Sequence, residues 1–159
     1  MIEIAKRRNE NRFKYHKVIF SCPVLSGESD DFRFRVPSNL LISAISNLID
    51  NSMYWTKSRE YHISSQGQNY KPAIFINTDI TTFEGPAIII CDNGPGFTID
   101  PEYLTQPFKT NKAGGMGLGL YFADLVMNMT GGKLIFPDSL DLNVPAAYDG
   151  ACIALVFPK

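Results

Sequence analysis

The sequence predicts one α+β domain in which a sheet of five or six strands carries a single layer of about three helices. The chain has 159 residues, a length that suits one domain with one core. Short apolar runs bounded by turn residues recur along it, and longer segments repeat apolar residues at helical spacing. No linker rich in proline or glycine divides the chain, so we expect a single folding unit.

The strand predictions rest on short runs that are apolar or that alternate between apolar and polar residues. These runs are 17–22, 32–36, 73–77, 87–91, 133–136 and 152–157. Because turn residues separate the first two runs, we expect those strands to form a hairpin. Residues 1–14 are polar and basic and are expected to fray. We therefore expect 1–16 to be an N-terminal extension or the end of an upstream domain, and the domain itself to span 17–159.

Two longer segments have the periodicity of helices. In the first, Ser38 is a plausible N-cap and the helix is expected to run to about Lys57. Its apolar stripe consists of Leu40, Leu41, Ala44, Ile45, Leu48, Ile49 and Met53. The polar residues that follow are predicted to form a loop. A short helix is expected near 101–105, and another at 118–129, where glycines at 131–132 end it.

Composition excludes several classes of protein. The formal net charge is −1, so no basic field indicates a nucleic-acid partner. No apolar run approaches the roughly 20 residues that cross a bilayer, so we expect no membrane contact by this segment. Cys22, Cys91 and Cys152 each lie in an apolar, strand-like run without zinc-site spacing. We expect them to be three reduced core thiols in a cytoplasmic protein, or in the cytosolic part of a larger sensor.

Two amides in the first long helix form the first candidate site. Asn47 and Asn51 are four residues apart, so they share one helix face beside the apolar stripe. They could simply be satisfied amides on the helix surface. An amide oxygen is also a suitable neutral ligand for Mg²⁺, which prefers hard oxygen ligands together with water and phosphate.

The second candidate is the sequence Asp92-Asn93-Gly94-Pro95-Gly96, directly after a predicted buried strand. A carboxylate at the end of such a strand can accept a hydrogen bond from an exocyclic amine. The glycines would let the backbone approach a flat ligand closely. The same residues are also typical of an ordinary turn, so this motif alone leaves both interpretations open.

The third candidate is the glycine-rich segment 114–120, which leads into an apolar helix. Backbone N–H groups at a helix N-terminus bind anions, which favours a phosphate site. A flexible linker is the alternative, but linkers are not interleaved with methionine and leucine. The glycine spacing does not fit a dinucleotide-binding fingerprint, and no Gly-Lys-Ser/Thr follows, which excludes a P-loop.

These elements, in this order, resemble the ATP-binding domain of histidine kinases. Residues 47–52 resemble its N box, 92–96 its G1 box, and 107–112 its F box with the lid. Residues 115–120 resemble its G2 box, and 131–132 with 150–158 resemble its closing glycines and last strand. The resemblance covers about residues 17–158. It implies the Bergerat fold, a two-layer α/β sandwich. In that fold a mixed, mostly antiparallel sheet of about five strands has three helices on one face.

The resemblance implies a ligand role for each matching residue. Asn51 would hold the Mg²⁺ that bridges the phosphates of ATP, and Asp92 would bind the adenine amino group. Trp55 takes the place of an aromatic residue that lies against adenine. Lys112, with Lys109 or Thr110, would reach the terminal phosphates from the lid.

The remaining nucleotide-binding candidates are mostly backbone positions. Glycines would give the lid room near the base or present N–H groups to phosphate, and three flanking apolar residues complete the set. These residues are Gly94, Gly96, Phe108, Gly115, Gly117, Leu118, Gly119 and Leu120.

Three features depart from the family pattern. Tyr54 stands where the family often has a basic residue that touches phosphate, so one positive charge is missing. Cys152 stands where a threonine often helps to hydrate the adenine pocket. The lid between Phe97 and Gly115 is short, which would leave the nucleotide more exposed.

Asn47 decides between the branches of this superfamily. The Hsp90, gyrase and MutL branches have a glutamate four residues before the magnesium-binding asparagine, and that carboxylate activates water. An amide cannot accept a proton in that role, so Asn47 favours phosphoryl transfer to a protein over ATP hydrolysis. The predicted catalytic residues of the implied protein histidine kinase are Asn47 and Lys112. His16 and His62 lie in no long heptad helix. We therefore expect the phosphoacceptor histidine on a separate domain, with a response regulator as a further partner.

Three alternatives remain open at this stage. A nucleotide-sensing module would bind ATP without transferring phosphate, and the missing basic residue at Tyr54 keeps it open. A hydrolytic Hsp90-like ATPase is disfavoured by Asn47. An anti-sigma-type serine kinase has nearly the same sequence boxes.

Overall fold

The computed structural model describes residues 1–159 and contains one five-stranded mixed sheet. The strands are β1 (Ile19–Ser21), β2 (Ala73–Asp79), β3 (Ala87–Asp92), β4 (Lys133–Ile135) and β5 (Cys152–Val156). Their order across the sheet is β1-β2-β3-β5-β4. Strand β1 pairs with β2 in parallel, and all other pairs are antiparallel. The α+β fold class predicted from the sequence is confirmed.

The helices lie on one face of this sheet. They are α1 (Ile2–His16), the single turn α2 (Pro23–Ser26), α3 (Ser38–Ser65) and α4 (Gly119–Met129), with short 3₁₀ segments at Pro101–Thr105 and Ser139–Asp141. Helices α3 and α4 pack together, and α1 packs along α3. The end of α4 is as predicted. Gly131 has φ +73°, and the N–H of Gly132 donates to the carbonyl of Met127 at 2.9 Å.

Alternation along the strands divides the core into two clusters. In β2, Ile74 and Ile76 face the helices and belong to the larger cluster with α3 and α4. Phe75 faces the opposite side, where Leu142 and Tyr148 of the segment before β5 cover the sheet. Both sheet faces are therefore buried near the centre. None of the helices is both long and apolar enough to cross a membrane.

The N-terminal residues are not frayed, and that expectation is wrong. Helix α1 buries Ile2, Ala5, Asn9 and Phe13 against the domain. Their spacing places them on one helix face, although the surrounding charges hide the pattern in the sequence. Two surface ion pairs within α1 add modest local support.

Three other local predictions also fail. Residues 32–36 form no strand, because Phe32, Phe34 and Val36 pack against the core individually without a partner strand. Helix α3 continues past Lys57 for two further turns, since the polar residues there are compatible with a solvated helix. Its N-cap is Pro37 rather than Ser38, and no side chain caps it.

The cysteines are not three reduced thiols. Cys91 in β3 and Cys152 in β5 are directly opposite each other in the antiparallel register and form a disulfide. Cys22 is free and half-buried, and burial raises the pKa of its thiol. Spacing in the sequence could not reveal this pair, because the two cysteines are 61 residues apart along the chain and only the register of β3 with β5 brings them together.

Candidate nucleotide-binding site

A cavity of about 450 Å³ opens between α3, the carboxyl end of β3, and the start of α4. Ala151 and Ile153 also line it, and the segment 97–118, which we call the lid, forms another wall. The predicted site residues that line this cavity are Asn47, Asn51, Trp55, Asp92, Gly96, Thr110, Lys112, Gly115, Gly117, Leu118, Gly119 and Leu120. Gly94 and Phe108 are the two predicted residues that do not line it. One cavity therefore unites segments that are far apart in the sequence.

The two amides of α3 face the glycine-rich segment that leads into α4. Neither Asn47 nor Asn51 makes a side-chain hydrogen bond within the protein, and both line the cavity. The approach from α4 is close: a Cβ on Gly119 would lie 3.3 Å from the Asn51 side-chain nitrogen. Polar groups without an internal partner at a cavity wall are available to a ligand.

Asp92 forms the opposite end of the cavity. It is only 2% exposed, and its Oδ1 accepts the N–H groups of Gly94 at 2.8 Å and Ala151 at 3.2 Å. Burial raises the pKa of Asp92 to about 6, although hydrogen bonds from Ser52 and these backbone groups oppose the shift. A carboxylate held in this way is fixed in orientation and can accept one further donor from a ligand.

Gly150 is a site residue that sequence reasoning missed. Its N–H donates to the carbonyl of Asp92 at 2.8 Å. A Cβ at this position would lie 2.6 Å from Asp92 Oδ1 and from the backbone nitrogen of Gly94. Only glycine permits this approach without moving Asp92. The available signal was a glycine two residues before the buried strand β5, but only the pairing of β5 with β3 shows its role.

A second set of missed residues supports the turn after Asp92. Arg59 Nη1 donates to the carbonyls of Asn93 at 2.7 Å and Gly94 at 2.9 Å. The Tyr70 hydroxyl donates to the Asn93 carbonyl at 2.8 Å, and the Arg59 guanidinium lies 5.5 Å from the Tyr70 ring centre. Asn93 in turn donates to the carbonyl of Lys71 at 2.9 Å. These contacts hold the turn from both sides, and no local motif at position 59 predicts them.

The lid has a different character. Within it, the N–H of Phe108 donates to the carbonyl of Gly117 at 3.1 Å, and the Asn111 amide donates to the Thr98 hydroxyl at 3.0 Å. Gly117 has φ +67°, and a Cβ there would lie 2.7 Å from the backbone of Lys109, so this close approach needs glycine. Phe108 is 76% exposed and also has positive φ. Lys112 lines the cavity from this segment.

The departure from the family pattern at Cys152 does not concern the cavity. Cys152 does not border the cavity, because it faces the opposite side of the sheet and is joined to Cys91. Its neighbours Ala151 and Ile153 line the cavity instead. The expected loss of a hydrating hydroxyl at position 152 therefore does not apply.

The residues present fit a magnesium ion that would be held mainly by nucleotide phosphates and water rather than by protein side chains. No group of three or more His, Cys, Asp or Glu side chains could hold a metal by itself. Asn51 offers a neutral oxygen beside the glycine-rich segment before α4. Magnesium typically takes one or two protein oxygens and completes its shell with water and substrate phosphates.

Comparison with known proteins agrees with this arrangement. The family model described as histidine kinase-, DNA gyrase B-, and HSP90-like ATPase matches residues 37–159, well over half of the chain. The chain belongs to this ATPase family. As a member of it, the chain is an ATP-binding domain, and the recognition made from the sequence boxes is confirmed. We call it the GHKL domain, after the gyrase, Hsp90, histidine-kinase and MutL branches of the superfamily.

One curated relative is a sensor protein. The GHKL domain is 29% identical over 110 residues to the C4-dicarboxylate transport sensor protein DctB of Rhizobium meliloti (strain 1021). The match covers 69% of this chain but only 17% of that protein. The chain thus corresponds to a small part of its relative's length.

Solved structures share the fold at low sequence identity. A catalytic domain of the histidine kinase ThkA aligns with a TM-score of 0.70 at 19% identity, covering 99% of this chain and 90% of that one. The ATP-binding domain of PrrB from Mycobacterium tuberculosis aligns with a TM-score of 0.63 at 18% identity, covering 99% and 92%. The mycobacterial sensor histidine kinase MprB gives 0.62 at 20%, covering 99% and 93%.

Proposed function

We propose that the GHKL domain binds Mg–ATP and transfers its γ-phosphoryl group to a histidine on a separate domain, as the catalytic part of a sensor histidine kinase. The observation that carries this proposal is Asn47. It faces the cavity one helical turn before Asn51, where the hydrolytic branches have their water-activating glutamate. The resemblance of the chain to a sensor protein supports the same reading.

The carboxylates of the cavity support transfer rather than hydrolysis. Only Asp50 and Asp92 line it. Asp92 is buried at the adenine end, and Asp50 is paired with Arg12 of α1. Neither is an unpaired carboxylate beside the phosphate end, so no group is available to activate water there.

Each part of the cavity would have one task. Asp92 would accept a hydrogen bond from the adenine amino group while Trp55 borders the base. Asn51 would hold Mg²⁺, which when bound neutralises phosphate charge. The backbone N–H groups near Gly119 would bind phosphate oxygens, and Lys112 would contact the terminal phosphate. Catalysis would consist mainly of positioning and charge neutralisation for in-line transfer.

Two measurements test this proposal in sequence. Thermal shift and calorimetry with ATP, ADP and GTP, with and without Mg²⁺, should show Mg-dependent binding of adenine nucleotides. A ligand present at about 100 times its Kd stabilises the fold by roughly 2.7 kcal/mol. Incubation of the domain with radiolabelled ATP and a candidate phosphoacceptor-histidine domain should then label that histidine domain.

Phosphate release separates transfer from hydrolysis. Without an acceptor, steady-state release should stay near background while nucleotide binding is clear, since general-base catalysis is worth about 10²–10⁴ in rate. The Asn47→Ala variant should leave this low rate unchanged. A fast, Mg-dependent ATPase that survives Asn47→Ala would move the chain to the hydrolytic branch.

A further inference from the structure

Tyr54 connects helix α3 to the lid. It lies one turn after Asn51, is half-buried, and its hydroxyl oxygen accepts the backbone N–H of Ala113 at 3.2 Å. No other hydrogen bond joins the lid to α3. The lid is therefore held against this helix through a single side chain, at the position where the family often has a basic residue.

The same side chain also contacts the lid lysine. Lys112 Nζ lies 4.5 Å from the centre of the Tyr54 ring, within the range of a cation–π interaction. The Tyr54 and Trp55 rings are nearly perpendicular with their centres 4.9 Å apart, and this packing restricts the orientation of Tyr54. The hydroxyl and the ring face thus act on two consecutive lid residues.

The contact between Tyr54 and Lys112 matters because of where Lys112 lies. Lys112 borders the nucleotide cavity and also a neighbouring cavity of about 460 Å³ lined by Tyr54, Tyr61 and residues of α1. Asp50 is the only other residue shared by the two cavities. A lysine held over the Tyr54 ring therefore stays at the boundary of the phosphate end. A basic residue at position 54 would repel it from that place.

We propose that Tyr54 is a positioning residue that holds the lid against α3 and keeps Lys112 at the phosphate end of the cavity. The cation missing from α3 is replaced by a lid cation that Tyr54 positions. This inference rests on the proposed function, because the role of Lys112 toward the terminal phosphate belongs to that function. Its signature is a selective effect on ATP relative to ADP.

Calorimetry with Mg–ATP and Mg–ADP tests the selectivity. Tyr54→Leu removes both lid contacts and should weaken ATP binding about fivefold, with ADP affected less than about twofold. Tyr54→Phe keeps the ring and should have an intermediate effect on ATP. Tyr61→Leu is the matched control, because Tyr61 is an exposed tyrosine two turns later on α3 without a lid contact. Equal weakening of ATP and ADP, or no change in either, would overturn the proposal.

A double variant asks whether Tyr54 acts through the lid lysine. In a Lys112→Ala background, Tyr54→Leu should weaken ATP binding by less than about twofold further, because the cation it positions is already gone. A full additional fivefold loss would mean that Tyr54 acts on the nucleotide by another route.

Limited trypsin digestion without nucleotide separates this inference from the proposed function. Cleavage after Lys109 and Lys112, followed by mass spectrometry, should be several-fold faster in Tyr54→Leu and Tyr54→Phe than in the wild type or Tyr61→Leu. If the wild-type domain bound no adenine nucleotide, the proposed function would fail while this digestion still tested the lid contact. Equal lid cleavage in all four proteins would overturn the contact itself.

Discussion

The two ends of the cavity are built in opposite ways. At the base end, Asp92 is 2% exposed and is the last residue of β3, which a disulfide joins to β5. At the phosphate end, the lid exposes Phe108 by 76% and Met116 by 74%, and one hydrogen bond joins it to α3. Rigid, buried groups suit recognition of a fixed base, whereas a weakly held segment can move during phosphoryl transfer. In the proposed function, base selection would therefore rest on the sheet and movement on the lid.

The largest expected effect concerns the rigidity of the base end. Reducing the Cys91–Cys152 bond, or replacing both residues by alanine, should lower the free energy of unfolding by on the order of 4 kcal/mol, from the loop that it closes. Denaturant unfolding with and without reductant measures it, and Cys22→Ser is the control. Thiol titration of the unfolded, unreduced chain should find one free thiol. Three would show that the two strands are not joined.

The base end should also carry most of the affinity. Asp92→Asn turns one acceptor oxygen into a donor facing the adenine amine, so ATP and ADP binding should both weaken by about 1.5–3 kcal/mol. Calorimetry measures both ligands, and Asp124→Asn, a carboxylate of α4 outside the cavity, is the control. If only ATP binding fell, the division between base and phosphate ends would be wrong.

A pH series sharpens the description of Asp92. Its folded pKa of about 6 is above the unfolded value, so its contribution to stability is complete below the unfolded pKa. That contribution is lost as pH rises through about 6, because the buried carboxyl must then ionise. Unfolding measured at pH 5 and pH 7.5 should therefore show the wild type losing stability relative to Asp92→Asn. A constant difference would mean that Asp92 has an ordinary pKa.

The same titration should affect binding. Below about pH 6 the protonated Asp92 is a poorer acceptor, so the affinity for ATP should fall by several-fold. The Asp92→Asn variant shares the titration of the ATP phosphates but lacks this carboxyl, and it isolates the Asp92 contribution. Identical pH profiles for the two proteins would contradict this assignment.

The smallest expected effect concerns Arg59, which supports the turn after Asp92. Arg59→Met removes the guanidinium that donates to the carbonyls after Asp92, so the turn should loosen and both ATP and ADP should bind about threefold more weakly. Arg35→Met, which removes an exposed arginine, is the control. A loss confined to ATP would place Arg59 with the phosphate end instead.

Much of the fold and site follows from local signals. The stripe of α3, the buried strands β2, β3 and β5, and the glycines before α4 are visible in short windows of sequence, and all but two predicted ligands line the cavity. The failures depend on distant partners. Residues 32–36 alternate as a strand does, but no neighbouring strand accepts them. The disulfide, Gly150 and Arg59 gain their roles only through strand register and the length of α3.

Helix α3 also sets a distance. Within thirteen residues it carries Asn47, Asn51, Tyr54, Trp55 and Arg59, which contact or border the cavity, the lid and the base-end turn. At about 1.5 Å per residue, this stretch extends roughly 18 Å. The number of helical residues between these side chains therefore sets the distance between the proposed base and phosphate subsites. Inserting one residue between Trp55 and Arg59 would rotate the arginine, with the rest of the helix after it, by about 100° away from its turn, although no side chain would be replaced.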